Sequence, residues 1–527
     1  MTTRTACMLM PMATLGVGVL AGTPAEPPWG VAATPWEQRL GNHRARIQVA
    51  AAADAVRVHL PWRRHDRNPQ DKAVWVVCAA TGERLRNAVP AAIGREAGDL
   101  VFQAAQPGEY LAYTMPFELK GKWFPTTLYD RPEVTADAAW LEKHGLTSAA
   151  LAAGAWRALP EATVTAFEAR TDFDRMDPME LAATADETAR LLAAHPQAGC
   201  LLFPEDRRSP IRMTADLPWS WIGRGPMDRF AGEAQRNEFY VFQIGLYAAR
   251  ADVEDVGLAF GDLRAPTGAV LPAARLRCFN TAGTDWLGRP FAKTVPIAKG
   301  SVQALWIGVD VPAEATPGTY EGVITVSPTG QQALPLRLSL TVTPAVLADR
   351  GDAELWRMSR LRWLDSTVGT EDEVTRPYTP VTVTGTTVGC LGRSVRFGDG
   401  GLPTAIRAGD ADLLATPVRF VVEADGRALS WRTGEARVTA STPARATLAA
   451  EQAADGLTLT CRATLEFDGY CRFTLGLRAE RAVDLRDCRL EIPLRKDFPT
   501  YMMGLGCKGG YRPERWDWKW DVRKYQD

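Results

Sequence analysis

Histidine is scarce in this 527-residue chain, and it is unevenly placed. The five histidines stand at 43, 59, 65, 144 and 195, so nothing beyond His195 can supply an imidazole base or ligand. Cysteine is sparse as well. There are nine, with no C-x-x-C pair, which leaves a zinc cluster without a scaffold. Net charge is nearly absent: Lys plus Arg (61) almost cancels Asp plus Glu (62). That balance argues against a dedicated nucleic-acid binder and against a polybasic membrane-surface protein. No apolar run of spanning length follows the N-terminus, so no transmembrane segment is expected. Gly504-x-Gly506-x-Lys508-Gly-Gly510 has the wrong spacing for a phosphate loop, and no Ser or Thr follows the lysine. Neither a cofactor nor a metal is expected.

What is present is enough apolar residue, 46%, to build several cores. A chain this long suggests roughly three or four domains. The N-terminus reads as an export signal, with Arg4 followed by the apolar stretch Ala6 to Leu20 and small residues from Ala21 to Ala25. Cleavage there would remove Cys7 and leave eight cysteines. One pair can be tested on paper. Leu457 to Phe467 and Cys471 to Leu477 alternate around the turn Asp468-Gly469-Tyr470. An odd-length loop keeps both apolar faces on one side and sets Cys461 opposite Leu477 and Cys471 opposite Phe467. At roughly 3.4 Å per residue the two sulfurs lie about 20 Å apart, too far for a bridge, and both are expected as buried thiols.

Along the chain, residues 26–35 read as a linker. Short strands follow between Leu40 and Phe117, including Ala55-Val-Arg-Val-His59 and Val74-Trp-Val-Val-Cys78. Ala136 to Trp156 has helical composition. A second helix is expected with Asp177 as N-cap, Pro178 at the first position and Glu180 closing a capping box, ending by His195 before Pro196. Both read as packing helices laid against a sandwich. Strands resume at Phe239 to Tyr247, and Leu334 to Val342 alternates without a break. Pro317-Gly-Thr-Tyr320 echoes Pro107-Gly-Glu-Tyr110. A tyrosine at such a corner can bond back to the backbone, as in immunoglobulin-like sandwiches. From Val381 to Leu494 the chain is nearly all strand, with turns at Gly398 to Gly401, Asp425-Gly426, Asp455-Gly456 and Asp468-Gly469.

The expected fold is therefore mainly β. Two immunoglobulin-like β-sandwich domains carry a small helical insert and precede a larger antiparallel β-sandwich domain. The boundaries run 1–25 for the signal, 35–135 for the first sandwich, 136–200 for the insert, 201–345 for the second sandwich and 346–500 for the large domain. Residues 501–527, rich in glycine and then in tryptophan, read either as a loop running into a packing strand or as the start of a further domain.

Four segments carry a family resemblance: Glu354 to Asp365, Tyr501 to Gly510, Arg277 to Trp286 and Gln303 to Gly308. Over most of residues 35–527 the chain resembles the N-terminal, non-catalytic region of proteins related to glycoside hydrolase family 123. The resemblance implies β-sandwich modules ahead of a (β/α)₈ barrel that hydrolyses N-acetylhexosaminides by substrate-assisted catalysis with an adjacent Asp-Glu pair, outside the usual two-carboxylate scheme. No strand–helix alternation for a barrel follows Trp520, so the catalytic barrel is expected to be missing. Asp186-Glu187 and Asp372-Glu373 are adjacent acids, but neither is read as that pair, and no catalytic residue is carried over.

Sugar recognition without a barrel would use exposed indole faces beside polar groups. Trp219 and Trp221 share a side if their segment is extended, with Arg224 close by. Trp516, Trp518 and Trp520 would line one face of a strand. For both groups, packing is the competing reading. Trp62-Arg63-Arg64-His65-Asp66-Arg67 reads as a solvated polar turn or as a holder for an acidic sugar. Three functions follow, in falling order: the β-sandwich region of an exported glycosidase, catalytically silent by itself; a carbohydrate-binding or cell-surface scaffold protein; or a complete enzyme whose carboxylates sit on one of the β domains. The expected partners are an oligosaccharide or polysaccharide and a separate or downstream catalytic domain. Whether the chain is itself an enzyme stays open.

Overall fold

The computed structural model describes residues 26–519 apart from 177 and 425. The fold is mainly β, and the chain divides into two compact units, Met1–Ser366 and Thr367–Asp527. No (β/α)₈ barrel occurs among the described residues.

The first sheet system of unit 1 is organised on the strand Glu161–Ala169. Its first two residues pair in parallel with Arg57 and Val58, and the rest runs antiparallel to His43–Val49. One strand thus belongs to two half-sheets, which enclose Ile47, Val58, Phe102, Tyr110, Ala112 and Phe167. Residues 26–35, expected as a linker, are not one. Trp29–Val31 is a strand paired in parallel with Phe167, Glu168 and Ala169, and the Trp29 indole stacks on Phe167 at 4.6 Å. Burial of that ring outweighs the loop-like composition around it.

The helical stretch after Ala136 consists of Ala138–Lys143, Ser148–Leu151 and a 3₁₀ turn Ala155–Ala158. Trp140, Leu146 and Trp156 bury themselves on Ala55 and Val101 of the sheet, which is the packing role expected of this insert. The second helix is Ala185–Ala194, ending before His195 as expected, but it starts later than the sequence suggested. The capping box belongs to Thr184 and Glu187, in place of Glu180; Asp177 lies outside the described residues. The reason is tertiary. Residues 181–183 are held extended because Ala182 N–H donates to the Arg63 carbonyl, Ala183 N–H to that of Leu217, and Trp219 N–H to that of Leu181. Those bonds replace the helical ladder that Pro178 could have started.

A second pair of large sheets follows in unit 1. Phe239–Ala248 lies between Cys200–Asp206 and Val302–Asp310, and packs on a six-stranded sheet containing Gly318–Pro328 and Leu334–Val346. Phe242, Ile244, Ile307, Ile324, Leu338 and Leu340 form the shared core. Every residue of Phe239–Ala248 is buried, which accounts for its unbroken apolar run.

In unit 2 every described strand pairing is antiparallel. Arg445–Ala454 and Leu457–Glu466 join through Asp455-Gly456, both at positive φ, the geometry of a two-residue hairpin turn. Val388, Phe397, Leu448 and Leu465 are central to one core cluster. Cys461 faces Leu475 and Cys471 faces Leu465, so the register differs by two residues from the expected one. Glu466 N–H donates to the Tyr470 carbonyl at 2.9 Å, and the loop is therefore Phe467-Asp468-Gly469. The odd loop length holds, and both cysteines are free thiols about four residues, or about 14 Å, apart along the ladder. Cys461 is buried, whereas Cys471, near the strand end, is half-buried.

Candidate functional site

Trp219, Trp221 and Arg224 lie on a short helix, Trp219–Arg224, so the extended geometry that would have aligned the two indoles is replaced. Trp221 points inward, fully buried, with its ring stacked on Phe203 at 4.4 Å. Gly245 makes room for it: a Cβ there would sit 2.5 Å from the indole. Its Nε1–H donates to Glu205 Oε1 at 2.6 Å, and Arg224 donates to the same oxygen at 2.6 Å. Two of the three residues are thus brought together by a buried carboxylate. Trp219 is half-buried, and the Arg63 guanidinium lies over its ring at 4.6 Å.

Arg63 and Arg64 are both buried, so the run Trp62 to Arg67 is not a solvated turn. Arg63 is gripped by Glu26 and by both oxygens of Glu187, and is raised above its usual range by these bonds against the cost of burial. Burial pushes the Glu187 carboxyl up, but the Arg63 and Thr184 hydrogen bonds bring it below its usual value. Glu187 therefore serves Arg63 and the helix cap. Asp372 of the other adjacent acid pair bonds Arg445 at 3.2 Å.

In unit 2, the glycine-rich stretch is itself a hairpin, Tyr501–Gly504 with Cys507–Tyr511. Trp516 and Trp518 lie outside any strand, contrary to the alternating-strand expectation, and Trp520 is beyond the described residues. Trp516 Nε1–H donates to the Leu505 carbonyl at 2.9 Å. A Cβ on Gly506 would come within 3.0 Å of Trp518, so the turn glycine, at φ +79, is what lets the indole close on the hairpin. Tyr501, Met503, Leu505 and Tyr511 remain exposed on this hairpin.

Three of the four segments that carry the family resemblance meet in space. Arg277 pairs with Asp365 at 3.0 Å, and the Trp306 N–H donates to Asn280 Oδ1 at 2.7 Å. Phe239, Val241 and Phe279 pack there with Trp306, Met358 and Leu361. Beneath them, fully buried Glu238 accepts from Arg207, from Arg357 at 3.0 Å and from the Gln235 N–H at 2.7 Å. These are structural joints: the 3₁₀ segments Leu355–Arg357 and Ser359–Asp365 are pinned to the sandwich by buried charge. Arg64, Glu205 and Glu238 were missed as buried polar centres, because a sequence does not show which charged residues fold inward. Among the described residues no cluster of His, Cys, Asp and Glu forms a metal site, and no helix is long and apolar enough to cross a membrane.

The glycoside hydrolase 123 N-terminal domain matches residues 34–170, and the glycoside hydrolase 123 third domain matches residues 381–527. The chain belongs to the family-123-like glycoside hydrolase proteins. No curated protein matches it. Among solved structures, it is similar to a family 123 glycoside hydrolase from Clostridium perfringens, described for glycolipid glycan hydrolysis, at 16% identity and a TM-score of 0.23. That match covers 28% of this chain and 28% of the hydrolase. A PapD-like domain of human CEP192 matches at 15% identity and a TM-score of 0.17, over 22% of this chain and 82% of that one.

Proposed function

We propose that this chain is the non-catalytic β-sandwich region of an exported, family-123-like glycoside hydrolase, and that it works with a separate or downstream catalytic domain on N-acetylhexosaminide-containing glycans. The match of both an N-terminal and a third-domain family model on one chain carries this reading. It is supported by the employment of the adjacent acids elsewhere, Glu187 on Arg63 and Asp372 on Arg445. The exposed Tyr501, Met503, Leu505 and Tyr511 on one hairpin are suited to covering by a neighbouring domain. The test is turnover of a chromogenic N-acetylgalactosaminide by the purified chain. None is expected, and measurable hydrolysis would overturn the proposal. Export is tested separately: the N-terminus of protein recovered outside the cytoplasm should begin just after Ala25.

A second reading, a free-standing carbohydrate-binding or surface scaffold protein, is favoured by the exposed Trp516 and the half-buried Trp219. Glycan-array binding lost on Trp219→Ala would support it, and an array without signal would remove it.

A further inference from the structure

One cavity of unit 1 combines aromatic walls with polar atoms that lack partners. It holds about 190 Å³ at one end of the first sheet system, where His43 begins one strand, Thr114 ends its neighbour, and the chain leaves Leu60 through Trp62 and Arg64. Trp62, Phe117, Tyr129 and the stacked pair Trp29–Phe167 supply the apolar lining. That space suits a molecule of about one six-membered ring, since engineered cavities of roughly 150 Å³ take up benzene.

The polar groups are specific. Arg64 is 4% exposed, lies over the Trp62 ring at 4.9 Å, and spends Nε and Nη2 on Asp66 at 2.6 and 2.8 Å. Its Nη1 is buried with no partner, and so is Asn42 Oδ1 on the same cavity. Buried donors and acceptors are almost always paired, because leaving one bare forfeits its hydration. Lys72 also binds Asp66, so two cations share one carboxylate and one positive charge is left over. Arg44, also on the cavity, is matched by Glu168 at 2.7 Å. His43 Nε2 bonds the Asp174 carbonyl at 2.6 Å, which makes Nε2 the protonated nitrogen and Nδ1 an acceptor. Arg64 also borders a groove beside Arg95, Glu96 and Asp216, but those three are already used: Arg95 pairs with Asp216, and Glu96 accepts from the Ala185 N–H.

We propose that this cavity binds a small monocarboxylate carried on a six-membered ring, its carboxylate on Arg64 Nη1 and a ring hydroxyl donating to Asn42 Oδ1. An aromatic hydroxy-acid and a sugar acid share this chemistry. The excess positive charge selects the acid, and the aromatic walls take the ring face. The site stands independently of the proposed function.

The test uses the full chain and calorimetric titration with 4-hydroxybenzoate and D-glucuronate, each against its uncharged counterpart, 4-hydroxybenzyl alcohol and D-glucose. One acid is expected to bind saturably at one site with a Kd of about 1 mM or tighter, and at least about tenfold more tightly than its counterpart. Which acid binds distinguishes the aromatic source from the sugar source. Arg64→Met should abolish that binding, and the near-isosteric Asn42→Leu should weaken it about tenfold. If Arg64→Met fails to fold, Asn42→Leu and the acid–alcohol comparison still decide. Saturable binding by neither acid, equal binding of the uncharged counterpart, or unchanged affinity in Asn42→Leu would overturn the proposal.

Discussion

The Tyr320 hydroxyl donates to the Thr316 carbonyl at 2.7 Å, four residues back along the chain. Tyr110 repeats the bond to Gln106 at 2.9 Å. Both rings are buried, so each hydroxyl ties a strand entry to the core at a position marked by Pro-Gly. Tyr320→Phe and Tyr110→Phe should each cost about 1 kcal/mol, read as a lowered urea midpoint of the transition that reports unit 1. An unchanged midpoint in both would show that these corners are passive.

Glu238 carries the joint between the second sandwich and the 3₁₀ segments. Replacing it with Ala takes the carboxylate from buried Arg207 and leaves Arg357 the more exposed Glu354 at 3.2 Å. The expected loss is about 3–5 kcal/mol. Arg357→Met should cost less, since Arg207 still compensates Glu238. Thermal unfolding of the two variants side by side checks the order.

The two tryptophans of the Trp219–Arg224 helix should separate in experiment. Trp221→Ala removes a fully buried ring and one of the two donors to Glu205, which keeps Arg224, and should destabilise unit 1 by about 3–5 kcal/mol. Trp219→Ala uncovers Arg63, which keeps Glu26 and Glu187, and should be milder. Denaturant curves decide; equal losses would contradict the burial difference.

The cysteines offer a chemical test. Burial pushes Cys461 up to about 11 and Cys471 up to about 12, while Cys488 is exposed. In the native protein at pH 8, a thiol reagent should modify Cys488 well before Cys461 and Cys471. Peptide mapping after a short labelling pulse reads the order, and a Cys461–Cys471 crosslink in the non-reduced digest would contradict the ladder.

His43 sets a pH dependence. Burial holds its imidazole below the usual value, outweighing the bond to the Asp174 carbonyl and the nearby Asp174 and Glu180 carboxylates, while His65 adds to the lowering. The folded state therefore binds this proton less readily than the unfolded chain does. Its contribution is complete above pH 6.5 and is lost as pH falls from there toward the depressed folded value. The melting temperature should drop between pH 7.5 and 5.5, and His43→Gln should flatten that drop.

The strand content, the antiparallel pairing around Asp455-Gly456 and the end of the helix at His195 were legible because each rests on local pattern: alternation, a turn dipeptide, a following proline. The start of that helix was not. Its first turn lost to backbone bonds from Arg63 and Leu217, residues far away in sequence. The strand Trp29–Val31 was hidden for the same reason, its partner lying at Phe167 to Ala169. The Cys461 register slipped by two because period-2 alternation sets the face a residue takes but not how far the loop reaches.

Taken alone, the order of amino acids determined a mainly β chain with several cores, P-G-x-Y corners and the marks of the family-123-like group. Only the tertiary structure decided that Arg64 turns inward to an aromatic cavity, that Trp221 is core, and that Glu238 locks the segment at 355–365. The physical reason is that alternation and turn chemistry act between neighbours, whereas burial of a charge depends on partners brought together only by the completed fold.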